Sequence, residues 1–213
     1  MGTFREAWQY IMNNQATFAE AVKVHLLLSI SALAIGLVIC IPLGIFLAKS
    51  NRISMVVLNA VNIGRIIPSL AVLALAMPYV GIGFKPALIA LTLLVCPPIL
   101  INTVTAFKEV DPNVIEAAYG MGMEKSRVLR IIEFPLALPV IITGIRTASV
   151  EVIAGASLAA FIGGGGLGVF VLNGVALIKP SLLLVGAIPI ALLAFSVELI
   201  AARIEKAVTP PLS

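Results

Sequence analysis

Charge is scarce in this chain. Of its 213 residues only 11% are Asp, Glu, Lys or Arg, where a soluble domain carries about 25%. Histidine and tryptophan each occur once, and cysteine twice. Each shortage excludes something. A disordered chain or a nucleic-acid-binding surface needs far more charge, so no nucleic-acid partner is expected. Cys40 and Cys96 both fall in apolar runs and read as buried free thiols without a disulfide or metal role. With His25 the sole histidine and no P-loop in the sequence, neither a resident cofactor or metal nor an enzymatic activity is expected. What fills the composition is apolar: 61% of the residues, with a mean hydropathy of +1.14. Polar groups on a soluble fold could not cover that much apolar surface, so lipid must.

The gaps between charged residues give the spans. Residues 24–48, 66–84, 86–107, 152–178 and 180–197 carry no Lys, Arg, Asp or Glu. A bilayer core of about 30 Å takes about 20 helical residues. The runs are continuous rather than alternating, which selects helices over strands. The expectation is an all-α membrane protein with five spans at about 26–48, 55–78, 86–107, 138–161 and 181–202. Pro42, Pro68, Pro97 and Pro98 within them are tolerable in membrane helices. Residues 1–25 show no clear cleavage site, so they read as an interfacial segment rather than a signal peptide, with Phe4, Trp8, Tyr10, Ile11 and Phe18 as its apolar side.

Five spans set the termini on opposite sides. One side collects eight basic residues (Lys49, Arg52, Lys108, Lys125, Arg127, Arg130, Arg203, Lys206) and the other four (Arg5, Lys23, Lys85, Lys179). The excess of positive charge marks the cytoplasmic side. The N-terminus is thus expected outside and the C-terminus in the cytoplasm of a multi-pass protein of the cell membrane. The loop 108–137 is then cytoplasmic, between the spans of a domain over 26–207, with 208–213 as a tail.

That loop is informative. Asp111 is a good N-cap and Pro112 suits a first helical turn. Val114, Ile115, Ala117 and Ala118 form a small apolar face, and Gly122 suits a helix end. A second helical stretch runs from Glu124 to Phe134, punctuated by Pro135. Two short helices in an elbow look like a contact for a cytoplasmic partner, though a solvated interfacial loop reads the same way.

Four charged residues lie within expected spans: Arg65, Arg146, Glu151 and Glu198. A lone charge at mid-bilayer costs about 2.5–3.5 kcal/mol or more, so each needs a partner or water. Arg146 and Glu198, the latter near Arg203, are read as snorkelling to the cytoplasmic face. Arg146 and Glu151, five apart, sit about 140° apart on a helix and should not pair. Arg65 and Glu151 sit nearer mid-span, where they are expected to face a water-filled pathway and pair across it. A structural polar contact at a subunit interface is the competing reading. The cluster Gly163, Gly164, Gly165, Gly166 and Gly168 satisfies G-x-G-x-x-G by spacing, but a membrane helix precedes it and the next acid is Glu198, so no dinucleotide site is expected. An irregular, close-packed turn at the outer face, between the last two spans, is expected instead.

The loop residues also carry a resemblance. Glu116-Ala117-Ala118, Gly122, Ile132 and Pro135 match the EAA signature of ABC importer permeases, with Phe134 where the family has Leu. Ile67-Pro68-Ser69-Leu70-Ala71, Leu136-Ala137-Leu138-Pro139-Val140, Gly144-Ile145-Arg146-Thr147-Ala148 and Ala159-Ala160-Phe161-Ile162-Gly163 resemble the osmoprotectant branch, which handles glycine betaine, carnitine and choline. The resemblance implies a five-helix permease fold like that of methionine importers. It implies coupling to a cytoplasmic ATPase dimer, which binds the ATP, through Glu116, Ala117, Ala118, Gly120 and Gly122. It implies pairing with a second permease subunit and delivery by an extracytoplasmic binding protein. Arg65, Ser69 and Glu151 are the candidate pathway residues. A methionine-type permease is the alternative within the class, and Arg65 before Ile66-Ile67-Pro68 is nearer that pattern. A secondary transporter or channel needing no ATPase, and a structural membrane subunit, are the alternatives outside it. No inverted repeat of the kind secondary transporters use is visible.

Overall fold

The computed structural model describes residues 2–67 and 69–208, with the backbone alone described at 69, 70, 72–74 and 76. The tail residues 209–213 lie outside the described residues. Among those described there is helix and no strand. Among the described residues ten α-helices follow in order: α1 (Gly2–Asn13), α2 (Gln15–Ala48), α3 (Asn51–Gly64), α4 (Ser69–Val80), α5 (Phe84–Lys108), α6 (Pro112–Gly120), α7 (Lys125–Val128), α8 (Phe134–Ala156), α9 (Gly168–Ala176) and α10 (Pro180–Val208).

Four helical runs are long and apolar enough to cross a bilayer: Gln15–Ala48, Phe84–Lys108, Lys125–Ala156 and Pro180–Val208. The expected span over 55–78 is not one helix. It is divided between α3 and α4, with turn bonds from Ile66 N–H to the Ile63 carbonyl (3.1 Å) and from Ile67 N–H to that of Gly64 (3.2 Å) at the break. The sequence reason is Pro68, which lacks an N–H and disfavours helical backbone in the residue before it. The two half-helices nonetheless return the chain from one end of the bundle to the other. At one end Lys108 Nζ bonds Ser54 Oγ of α3. At the other, Gly83 N–H bonds the Ile162 carbonyl at 2.7 Å.

Two further boundaries differ from expectation. The helix that carries the first span begins well before residue 26, because α2 starts at Gln15. Its 34 residues are about 51 Å long, more than the bilayer core takes. Pro135 does not punctuate the loop either. A π-turn at Leu129–Glu133, in which Phe134 N–H bonds the Leu129 carbonyl five residues back, widens the helix where the proline ring would meet it. Helix therefore runs unbroken from Lys125 to Ala156.

The core forms around α5. Leu91, Val95, Ile99 and Val104 of α5 are buried against Leu28, Ala32 and Cys40 of α2, and against Ala148, Val152 and Ala156 of α8. Glycines on the flanking helices let the backbones approach, as membrane helix pairs require. A Cβ at Gly36 or Gly44 of α2 would fall 2.6–2.7 Å from Val95 or Thr103, and one at Gly144 of α8 would fall 2.9 Å from the Pro98 carbonyl oxygen.

Candidate functional site

Three places in the fold gather the residues that the sequence singles out. The first is the elbow at α6. Asp111 Oδ1 accepts the N–H of Asn113 at 2.9 Å, which caps the helix. The far end closes with two bonds, Met123 N–H to the Ala118 carbonyl (3.2 Å) and Gly122 N–H to that of Tyr119 (2.9 Å), with Gly122 at φ +78°. This paired closure needs a left-handed residue after the helix, and glycine takes that backbone without strain. The expected single apolar face is divided in two. Ile115 turns inward, against a cluster of Phe107, Val110, Ala137 and Ile141, and Ala118 is buried. Val114, Glu116, Ala117, Tyr119, Gly120 and Met121 are exposed. The inward side anchors the elbow to the ends of α5 and α8, and the outward side is free. Phe134 packs on Phe107 with ring centroids 6.4 Å apart, which accounts for an aromatic residue at this position.

The second place is mid-bundle. Arg65 caps the C-terminus of α3 at the helix break, and Glu151 stands on α8. Arg65 Nη2 donates to Glu151 Oε1 at 3.4 Å, and both side chains remain part-exposed. They line a cavity of about 550 Å³ together with Val61, Ala90, Leu94, Cys96, Pro97 and Leu158. Ser69 opens α4 just beyond the break, but its side chain lies outside the described residues.

The third place is the glycine turn. Gly163, Gly165 and Gly166 have φ of +73°, +78° and +82°, so backbone freedom is required there. Gly164 and Gly168 serve close packing instead. A Cβ at Gly164 would lie 2.7 Å from that of Ala87, and one at Gly168 only 2.0 Å from the Ser157 carbonyl oxygen. Gly168 begins α9, a short helix between α8 and α10 that the apolar pattern did not separate from the rest of its run. His25 of α2 is buried against Gly166, and its Nε2 donates to the Ile153 carbonyl at 3.1 Å.

Arg146 is not a snorkelling cation. Its Nε donates to Glu198 at 2.9 Å, its Nη2 bonds the same carboxylate, and its Nη1 donates to Glu205 at 2.6 Å. Thr143 Oγ1 donates to Glu205 at 2.7 Å. This network joins α8 to α10. The sequence alone assigned Glu205 no partner. The signal for it was its spacing of seven from Glu198, which puts both acids on one face of α10.

Comparison with known proteins agrees with this architecture. A family model described as "Binding-protein-dependent transport system inner membrane component" matches residues 40–210. The carnitine transport permease protein of Listeria monocytogenes is 42% identical over 87% of this chain and 85% of its own. The glycine betaine/carnitine/choline transport system permease protein of Bacillus subtilis is 40% identical over 94% of this chain and 93% of its own. Among solved structures, the inward-facing methionine ABC transporter MetNI superposes with a TM-score of 0.82 at 24% identity, covering 92% of this chain and 98% of that one. At that identity the likeness is one of fold.

Proposed function

The chain belongs to the inner membrane components of binding-protein-dependent transport systems, multi-pass membrane permeases rather than enzymes, and from that premise we propose that it forms the translocation pathway of an ATP-driven importer for a quaternary-amine osmoprotectant of the glycine betaine, carnitine or choline type. The observation that carries this reading is the 40–42% identity, over most of the chain, to permeases named for those substrates. The methionine alternative has the fold likeness and the Arg65 position behind it, and neither names a substrate.

In this reading the N-terminus and the glycine turn face outward, and the α6 elbow faces the cytoplasm. A partner ATPase seats on the exposed side of the elbow, at Glu116, Ala117, Gly120 and their neighbours. When the ATPase dimer closes it moves α6, and Ile115 passes the movement to Phe107 at the end of α5 and to Ala137 and Ile141 at the start of α8. Helix α8 carries Glu151, so a displacement at the elbow changes the cavity in the middle of the bundle. One subunit encloses too little for a pathway. A second permease subunit completes it, and an extracytoplasmic binding protein supplies most of the selectivity.

The test is uptake by cells that lack their own osmoprotectant importers and express this chain with its ATPase and binding protein. Radiolabelled glycine betaine, carnitine or choline should accumulate at least tenfold above a control with an ATPase-dead partner. Uptake of methionine alone, or uptake that survives loss of ATP hydrolysis, refutes the reading.

A further inference from the structure

The cavity beside the Arg65–Glu151 pair has an unusual polar content. Among the described residues that line it, the charged side chains are these two, and the rest of the wall is aliphatic apart from the Cys96 thiol. Its volume of about 550 Å³ falls within the range of small-molecule sites. The two charges come from different elements, α8 and the break after α3, and the bond between them is long at 3.4 Å. Both groups are part-exposed to the cavity, so another ion can reach either one.

A pair of this kind is a template for a ligand that carries both charges. We propose that Arg65 and Glu151 form a transient substrate site for zwitterionic quaternary amines, in which Glu151 takes the trimethylammonium group and Arg65 takes the carboxylate while their own bond opens. This assignment rests on the quaternary-amine reading above. In the empty site the two side chains neutralise each other, which limits the cost of charge at this depth. On binding, each exchanges one partner of opposite charge for another, so the step from empty to loaded leaves no charge unpaired.

The aliphatic wall selects the type of cation. A primary ammonium has three N–H donors, each of which needs an acceptor once out of water. Glu151 is the one side-chain carboxylate available among the described lining residues. A quaternary ammonium donates no hydrogen bond and asks only for a negative charge and apolar contact, which Leu91, Leu94 and Leu158 provide. No aromatic side chain is among the described lining residues, so the site lacks a cation–π cage and holds its cargo loosely. Loose binding is what a way-station between a binding protein and the cytoplasm requires. Choline carries the cation without the carboxylate, so it engages Glu151 and leaves Arg65 without a partner.

The experiment uses the whole importer in proteoliposomes, with the binding protein saturated by either glycine betaine or choline. Arg65→Gln should raise the ratio of choline to glycine betaine uptake at least fivefold, and Arg65→Lys should restore it at least halfway. Glu151→Gln should lower uptake of both substrates at least fivefold and leave their ratio within twofold of the original. An unchanged ratio in well-assembled Arg65→Gln importer overturns the site, although the quaternary-amine reading stands if the unmodified importer transports both. Transport of methionine and neither amine by the unmodified importer overturns that reading instead. A measurement on the unmodified chain keeps the test independent of folding. Cys96 lines the cavity and Cys40 is buried, so a methanethiosulfonate reagent should label Cys96. Saturating glycine betaine should slow that labelling at least threefold, and equal concentrations of methionine should not. Equal rates with and without glycine betaine place the substrate elsewhere.

Discussion

At the scale of single residues, the backbone identifies a weak position that no motif marks. Helix α9 closes by the same paired bonds as α6: Lys179 N–H reaches the Gly174 carbonyl at 2.9 Å, and Ile178 N–H reaches that of Val175 at 3.2 Å. The left-handed residue here is Ile178, at φ +52°, where α6 has glycine. A β-branched residue in that region is strained, at a cost of about 1–2 kcal/mol. Ile178 is 88% exposed, so its side chain recovers little by packing within the chain. Glycine relieves the strain and forfeits about 0.5–1 kcal/mol of chain entropy. Ile178→Gly should therefore stabilise the protein by about 0.5–1 kcal/mol, which raises the thermal midpoint by about 1–4 °C for a chain of this size. Thermal unfolding of the purified protein checks this, and a lower midpoint means that the isoleucine makes contacts the strain does not outweigh. Gly168 behaves in the opposite way, since the Ser157 carbonyl leaves no room for a Cβ there.

At the scale of elements, the elbow was the most legible feature, because its signals are local. The Asp111 cap, Pro112 and Gly122 fall within one short helix and its flanks, and each acts within a few residues of its own position. A Cβ at Gly122 would meet nothing within 4 Å, so Gly122→Ala changes backbone preference without a clash. With ATPase docking at the elbow, this variant should accumulate in membranes as the unmodified chain does and co-purify with the ATPase severalfold less. Asp111→Ala, which removes a cap worth about 1 kcal/mol, should weaken co-purification in the same direction. Full retention of the ATPase by both variants would show that the elbow geometry does not govern docking. The helix breaks were less legible. Counting charge-free residues finds apolar length but not interruptions, so Pro68 was absorbed into a span while Pro135 was credited with an end. Pro42, Pro97, Pro98 and Pro139 all lie inside helices, which shows that proline alone does not fix a boundary in this chain. At Pro135 the turn at Leu129–Glu133 widens and the helix continues past the ring. The partners of Arg146 were hidden for another reason. Glu198 and Glu205 lie more than fifty residues away in sequence, and only the packing of α10 on α8 brings them within reach.

At the scale of the whole molecule, the low charge that first indicated lipid also bears on how the chain meets the membrane surface. Helix α1 has two apolar faces. Ala7, Tyr10 and Ile11 pack with Phe18, Phe170 and Val185 against the beginnings of α9 and α10. The Tyr10 and Phe170 rings meet edge to face with centroids 5.9 Å apart. Phe4, Trp8 and Met12, spaced by four, point away from the protein at 66%, 64% and 49% exposure. A helix fixed to the bundle on one side and apolar on the other is expected to lie at the boundary of headgroups and acyl chains, where tryptophan is favoured. Length fits this expectation, because α2 is longer than the bilayer core and would carry its first turns to the interface beside α1. Trp8 is the sole tryptophan, so its fluorescence reports on α1 alone. In proteoliposomes, nitroxide lipids labelled near the headgroup should quench it more strongly than lipids labelled deep in the acyl chain, and aqueous iodide should quench it weakly. Truncating the stripe with Phe4→Ser and Met12→Ser should loosen the contact, seen as a red shift of the Trp8 emission and greater access to iodide. Strong iodide quenching of the unmodified chain, with no response to either lipid label, would place α1 clear of the bilayer and leave its apolar stripe for a protein partner.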